Sequence, residues 1–242
     1  MLGRVGDLSA RATAGPTYPP DAGDLADVRV AGLTFPIRAS VAILATTAIV
    51  VADRLRLLVP DGAGAVAGIE PVTLSRFFLF LVVPIAIVVI GFRDRPARYA
   101  FRLGDWRWGV ALLAAGLIVM TPIILGLAQL PEFRGYYGAA GAPLPARLLN
   151  NLGELIPAEF LLRGFLMFAL WRRIGPLALV VVQVPFVLTH LGKPDVELWS
   201  TFIGGAIFAW LDWRTGSILW SALGHVYVLT LMVVAVGGAT LG

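Results

Sequence analysis

An all-α, polytopic membrane helix bundle with about seven transmembrane helices is the fold class that three observations predict. Hydrophobic residues make up 58% of the 242-residue chain, charged residues only 14%, and mean hydropathy is +0.84. Soluble domains carry roughly 25% charged residues. Apolar runs of about 20 residues, the length that crosses the hydrocarbon core, recur along the chain. Basic residues flank those runs instead of forming a region of their own. The composition excludes a disordered chain, a collagen-like repeat and a coiled coil. With no cysteine, it also excludes a disulfide framework, a thiolate metal site and a cysteine nucleophile.

Residues 1–35 mix Pro, Gly, Asp and Arg with no apolar run. They read as a flexible N-terminal tail, with no signal peptide, ahead of a transmembrane bundle over 36–242. The first span is expected at 38–59, with Asp53, Arg54 and Arg56 interrupting its second half and Asp53 near enough to Arg56 to pair. The others are expected at 72–92, 108–130, 148–171, 175–192, 198–213 and 216–240.

Arginine sets the orientation. Of 19 basic residues only Lys193 is lysine, and five arginines (93, 95, 98, 102 and 107) crowd the second connection. Arg172, Arg173 and Arg214 follow spans four and six, whereas 60–71 holds no basic residue. The positive-inside rule then places the N-terminus in the cytoplasm and the C-terminus outside. Arg-over-Lys usage with abundant Ala, Gly and Val points to a GC-rich bacterium, hence an inner (plasma) membrane. The aromatic and arginine residues of 95–108 suit an interfacial helix, not nucleic-acid stacking, beside a membrane span. No nucleic-acid partner is expected.

Ionisable side chains inside a bilayer are costly and mark functional candidates. Glu154, Glu159 and Arg163 lie in span four, His190 ends span five, and His225 sits within span seven. Glu159 and Arg163, at i,i+4, share a helix face and can pair, so Arg163 reads as structural. Glu154 reads as a carboxyl held near the outer interface, with Asn150 or Asn151 as a partner. Asp212, close to Arg214, reads as interfacial. Two imidazoles and a carboxylate on three helices could hold a divalent metal such as zinc, with His190, His225 and Glu159 as candidates, or activate a water with no metal.

Ala158-Glu159-Phe160-Leu161-Leu162-Arg163-Gly164 resembles the Glu-Glu-x-x-x-Arg-Gly motif of the CAAX-protease and bacteriocin-processing family of intramembrane endopeptidases (type II CAAX prenyl endopeptidase-like). Phe186 to His190 matches its Phe-x-x-x-His motif, and Arg214-Thr215-Gly216-Ser217-Ile218 followed by His225 is similar to its third segment. The resemblance covers about 150–235. It implies an intramembrane endopeptidase in which the first Glu and the second-motif histidine activate water, while the last histidine and an Asn stabilise the oxyanion. Two positions depart: Ala158 replaces the first Glu, and Leu229 replaces the Asn. Losing a general base costs about 10²–10⁴-fold and an oxyanion donor about 10²–10³-fold. Glu154, one turn before Ala158 on nearly the same face, is the candidate replacement base.

Two functions follow. One is cleavage of a membrane-associated peptide by Glu159 or Glu154 with His190 and His225. The other is a catalytically degenerate scaffold that binds a membrane-associated peptide, a lipid or a partner membrane protein. A transporter or channel lacks the paired repeats and broken-helix symmetry it would need.

Overall fold

The computed structural model describes residues 15–138 and 141–240. A hairpin of β1 (Asp27–Val30) and β2 (Leu33–Pro36), paired antiparallel, leads into α1 (Ile37–Arg54). Then come α2 (Pro71–Gly91), α3 (Trp106–Leu127), α4 (Pro131–Tyr137), a long α5 over 144–174, α6 (Leu177–Thr189), α7 (Asp195–Thr215) and α8 (Leu219–Ala235). β3 (Ala142–Pro143) and β4 (Ala239–Thr240) pair in parallel. Seven long helices follow the order expected from the sequence; the short α4 was not anticipated. The first helix stops at Arg54, so Asp53 and Arg54 end it instead of interrupting it.

Proline shapes two helices. Pro84 interrupts α2, which has wide π-type turns at Phe78–Val82 and Ile87–Gly91. Pro157 precedes another at Phe160–Leu166 in α5. A proline lacks the N–H that an earlier carbonyl needs and crowds it, which favours such departures from α geometry. The α5 departure falls beside Glu159, at the bundle centre.

Among the described residues two helices, α2 and α3, are long and apolar enough to cross a membrane; α6 and α8 are apolar but shorter. Only 6% of the α3 span window is buried within the protein. An apolar helix this bare in water would expose a large contiguous hydrophobic patch, and lipid removes that cost. The core packs Tyr99, Leu79, Phe80 and Ala42 around residues 160–170. A second cluster joins Ile124, Phe133 and Met232.

Contacts gather the connections at two ends. At one, Arg38, Asp94, Arg98 and Arg172 meet, and the Asp105 amide bonds the Thr215 carbonyl at 2.7 Å. At the other, Asn150 reaches the Gly68 carbonyl and the Tyr137 hydroxyl donates to Glu197. The segment 95–108 forms a 3-10 turn at Pro96–Tyr99, with Tyr99 wholly buried, and then the start of α3, where Trp106 and Trp108 are exposed. Tyr99 stacks among core rings, so its aromatic character serves packing.

The expected flexible tail is folded from residue 15 onward; residues 1–14 lie outside the described residues. Asp24, 2% exposed, faces Arg38 at 2.8 Å, Arg98 at 2.7 Å and Arg172 at 3.6 Å. Asp21 adds ion pairs to Arg38 and Arg98. The Tyr18 hydroxyl donates to the Trp213 carbonyl at 2.7 Å while its ring meets Phe168 edge-on. The segment lacks an apolar run because arginines hold it.

Candidate functional site

A cavity of about 500 Å³ opens on the end away from the arginine cluster and brings Glu154, Ala158, Glu159, His190 and His225 to one wall system. The sequence spreads these residues over three helices. α5 supplies Glu154, Ala158 and Glu159, the α6 terminus supplies His190, and α8 supplies His225. Both imidazoles face this interior space and neither points into lipid.

Glu159, 1% exposed, sits at the floor. Its Oε1 lies 2.8 Å from His225 Nδ1, and its Oε2 forms an ion pair with Arg163 one turn on. Arg163, also 1% exposed, rests its guanidinium 4.2 Å from the Phe186 ring centre and 5.4 Å from that of Phe208. The pairing read from i,i+4 spacing is therefore formed, within an aromatic box that softens the cost of a buried cation. Gly205 permits the approach of α7: a Cβ there would stand 2.2 Å from Gln183 and 2.6 Å from Phe186.

Hydrogen-bond partners fix the imidazole tautomers. His190 Nδ1 lies 2.9 Å from the Phe186 carbonyl, which can only accept, so Nδ1 carries the proton. The carboxylate of Glu159 likewise accepts a hydrogen bond from His225 Nδ1–H. Among the described residues, Nε2 of each ring has no hydrogen-bond partner and is left as an acceptor. The two rings are nearly parallel, 14° apart, with centres separated by 6.3 Å.

Glu154 is tied elsewhere. Arg76 Nη1 donates to its Oε2 at 2.6 Å and Thr73 to its Oε1 at 2.9 Å. Arg76 also grips Asp53 through Nε at 3.0 Å and Nη2 at 3.2 Å, so Asp53 pairs with Arg76 and not with Arg56. A fork from α2 reaches both carboxylates, while Arg56 lies past the helix end. Asn150 Oδ1 lies 2.6 Å from the same Thr73 hydroxyl, whose one proton Glu154 and Asn150 share, and Asn151 donates instead to Thr230.

Asp212 corrects the sequence reading most. It is wholly buried, not interfacial, and accepts from Ser221 Oγ at 2.9 Å. The same hydroxyl lies 3.5 Å from Glu159 Oε2, which links Asp212 to the floor. Arg214 turns away, toward Asp105 and the Trp108 ring. Sequence reasoning missed Ser221 and Arg76 as well. An apolar neighbourhood for Asp212 was visible, but the nearby arginine masked it.

Among the described residues no group of three or more His, Asp or Glu side chains stands together to hold a metal. Glu159 spends one oxygen on His225 and the other on Arg163, so it is not free to join the two imidazole Nε2 atoms as a third ligand. The candidate set His190, His225 and Glu159 does not fit a resident metal.

These features define a class: a helical membrane bundle with a polar cavity floored by a carboxylate–imidazole pair. Residues 140–231 match the family model described as Rce1-like, type II CAAX prenyl endopeptidase Rce1-like. The match includes every residue of the floor and both departures, Ala158 and Leu229. No curated protein and no solved structure matches the chain.

Proposed function

We propose that the chain is a bacterial plasma-membrane protein of seven spans, N-terminus cytoplasmic, whose cavity receives a membrane-associated peptide and binds it with negligible hydrolysis. One observation carries this reading: every carboxylate lining the cavity is already engaged. Asp53 and Glu154 share Arg76, Glu159 serves Arg163 and His225, and Ala158 brings no carboxylate. Leu229 supplies no amide to an oxyanion. Support for seven crossings comes from the alternation of the long helices between the two ends. Support for the orientation comes from the arginines gathered at the N-terminal end.

A second reading is favoured by the 2.8 Å contact between Glu159 and His225. A buried carboxylate that fixes an imidazole tautomer leaves Nε2 able to take a proton from water, which is how a weak hydrolase would work.

A quenched-fluorescent peptide anchored in detergent micelles separates the two. Wild-type protein is expected to give negligible turnover. Ala158→Glu is expected to give measurable cleavage, because Ala158 lines the cavity with both histidines and a carboxylate there restores a base, whereas Leu229 packs on the second apolar cluster. Robust wild-type cleavage lost in His225→Ala would support the second reading. Wild-type cleavage lost in both Glu154→Gln and His190→Ala would make Glu154 a relocated base and overturn the first.

A further inference from the structure

The cavity has a rim as well as a floor. Arg54 and Arg56, at the end of α1, line it together with Arg76, Tyr136 and Lys193. Arg76 is held by Asp53 and Glu154, and Lys193 by Glu197 at 2.7 Å. Arg54 and Arg56 have no ion pair or side-chain hydrogen bond among the described residues; Arg54 is within electrostatic reach of Tyr136. The family match begins at residue 140, so it does not cover these two arginines.

The backbone at Arg56 decides which substitution tests it cleanly. The Arg56 amide bonds the Asp53 carbonyl and the Leu57 amide bonds the Ala52 carbonyl, which is the helix-ending arrangement whose left-handed position usually holds glycine. Here φ is +52° and the residue is arginine. Ala31, Ala67, Arg93 and Ala100 are left-handed as well, so the conformation shows only that glycine would be accommodated at position 56.

Below the rim the cavity wall is apolar, with Val50, Phe80, Leu155, Leu162 and Leu188. The rim stands where α1 ends and α2 begins, and guanidinium groups match phosphate oxygens in a bidentate fashion. We infer that Arg54 and Arg56 bind the phosphate of an anionic phospholipid whose acyl chain lies along this apolar wall. A free phosphate offers the same oxygens without the chain. The inference holds whether or not the floor hydrolyses a peptide.

Full-length protein, stripped of lipid in a maltoside detergent, is titrated with short-chain phosphatidylglycerol, matched phosphatidylcholine and inorganic phosphate. Binding is read as a saturable rise in melting temperature and by native mass spectrometry. Phosphatidylglycerol is expected to bind at least about tenfold more tightly than either comparator. Arg54→Gln and Arg56→Gly are each expected to weaken it by about tenfold. Arg56→Gly relieves the left-handed strain, so its lipid-free melting temperature should be no lower than wild type, which keeps the test decisive if Arg54→Gln folds poorly.

Equal affinity for the two lipids, or unchanged phosphatidylglycerol binding in Arg56→Gly, would overturn the inference. Inorganic phosphate binding as tightly as phosphatidylglycerol would assign the rim to a soluble anion instead. Displacement of the lipid by a short peptide with a free carboxyl terminus, at lower concentration than the lipid itself, would assign it to a peptide.

Discussion

At the arginine-rich end Asp24 faces three guanidiniums, while at the cavity end Glu159 faces one guanidinium and one imidazole whose second nitrogen is bare. Both carboxylates are almost fully buried. Asp24 and its arginines are surrounded by one another and by Asp21 and Asp94, and they tie four segments together. The cavity network stops at open space with hydrogen-bonding capacity left over. Burial of charge alone therefore does not single out a site in this protein; unspent polar groups facing a cavity do.

The largest effect is expected where a partner cannot be replaced. Glu159→Ala strands Arg163 and His225 in the core and should cost about 3–5 kcal/mol in detergent unfolding experiments. Asp24→Ala should cost less, about 1–3 kcal/mol, because Asp21 and Asp94 remain as counter-ions. A loss at Asp24 larger than at Glu159 would reverse the comparison. Truncation before residue 31 is expected to lower the melting temperature as well, since it removes Asp21, Asp24 and Tyr18 together, and an unchanged value would show that the segment does not dock.

Smaller effects sharpen the contrast. Tyr18→Phe removes the bond to the Trp213 carbonyl and should cost about 0.5–1.5 kcal/mol at neutral pH. Burial pushes the Tyr18 and Tyr99 hydroxyls up to about 12, above their ordinary value near 10. Ionisation is easier in the unfolded chain, so the two buried hydroxyls leave stability independent of pH below about pH 10 and lower it as pH rises toward 12. Stability in that window should fall less steeply in the double Phe variant. Tyr99→Phe is the mildest change, neutral or slightly stabilising, because its buried hydroxyl has no partner among the described residues.

Much of the floor was legible in the sequence for physical reasons. The i,i+4 pair Glu159–Arg163 is a local relation, and histidines are conspicuous in apolar helices. Their convergence on one cavity came from motif order. The rest depended on distant partners. Asp53 and Arg76 are 23 residues apart, and Tyr18 and Trp213 are 195 apart. A polar N-terminal stretch that docks through ion pairs carries no hydrophobic periodicity, so it reads as solvated. Asp212 was misread because its sequence neighbour Arg214 offered a local partner, whereas packing of α7 on α8 gave it Ser221.

The chain has only two histidines, both at the cavity, so labelling histidine with nitrogen-15 observes the floor and nothing else. Solid-state spectra of the protein in lipid should show both imidazoles protonated at Nδ1 and bare at Nε2, with the His225 signal changing most in Glu159→Gln. A His225 ring protonated at Nε2, or one indifferent to Glu159→Gln, would contradict the account of a carboxylate-oriented imidazole facing an open cavity.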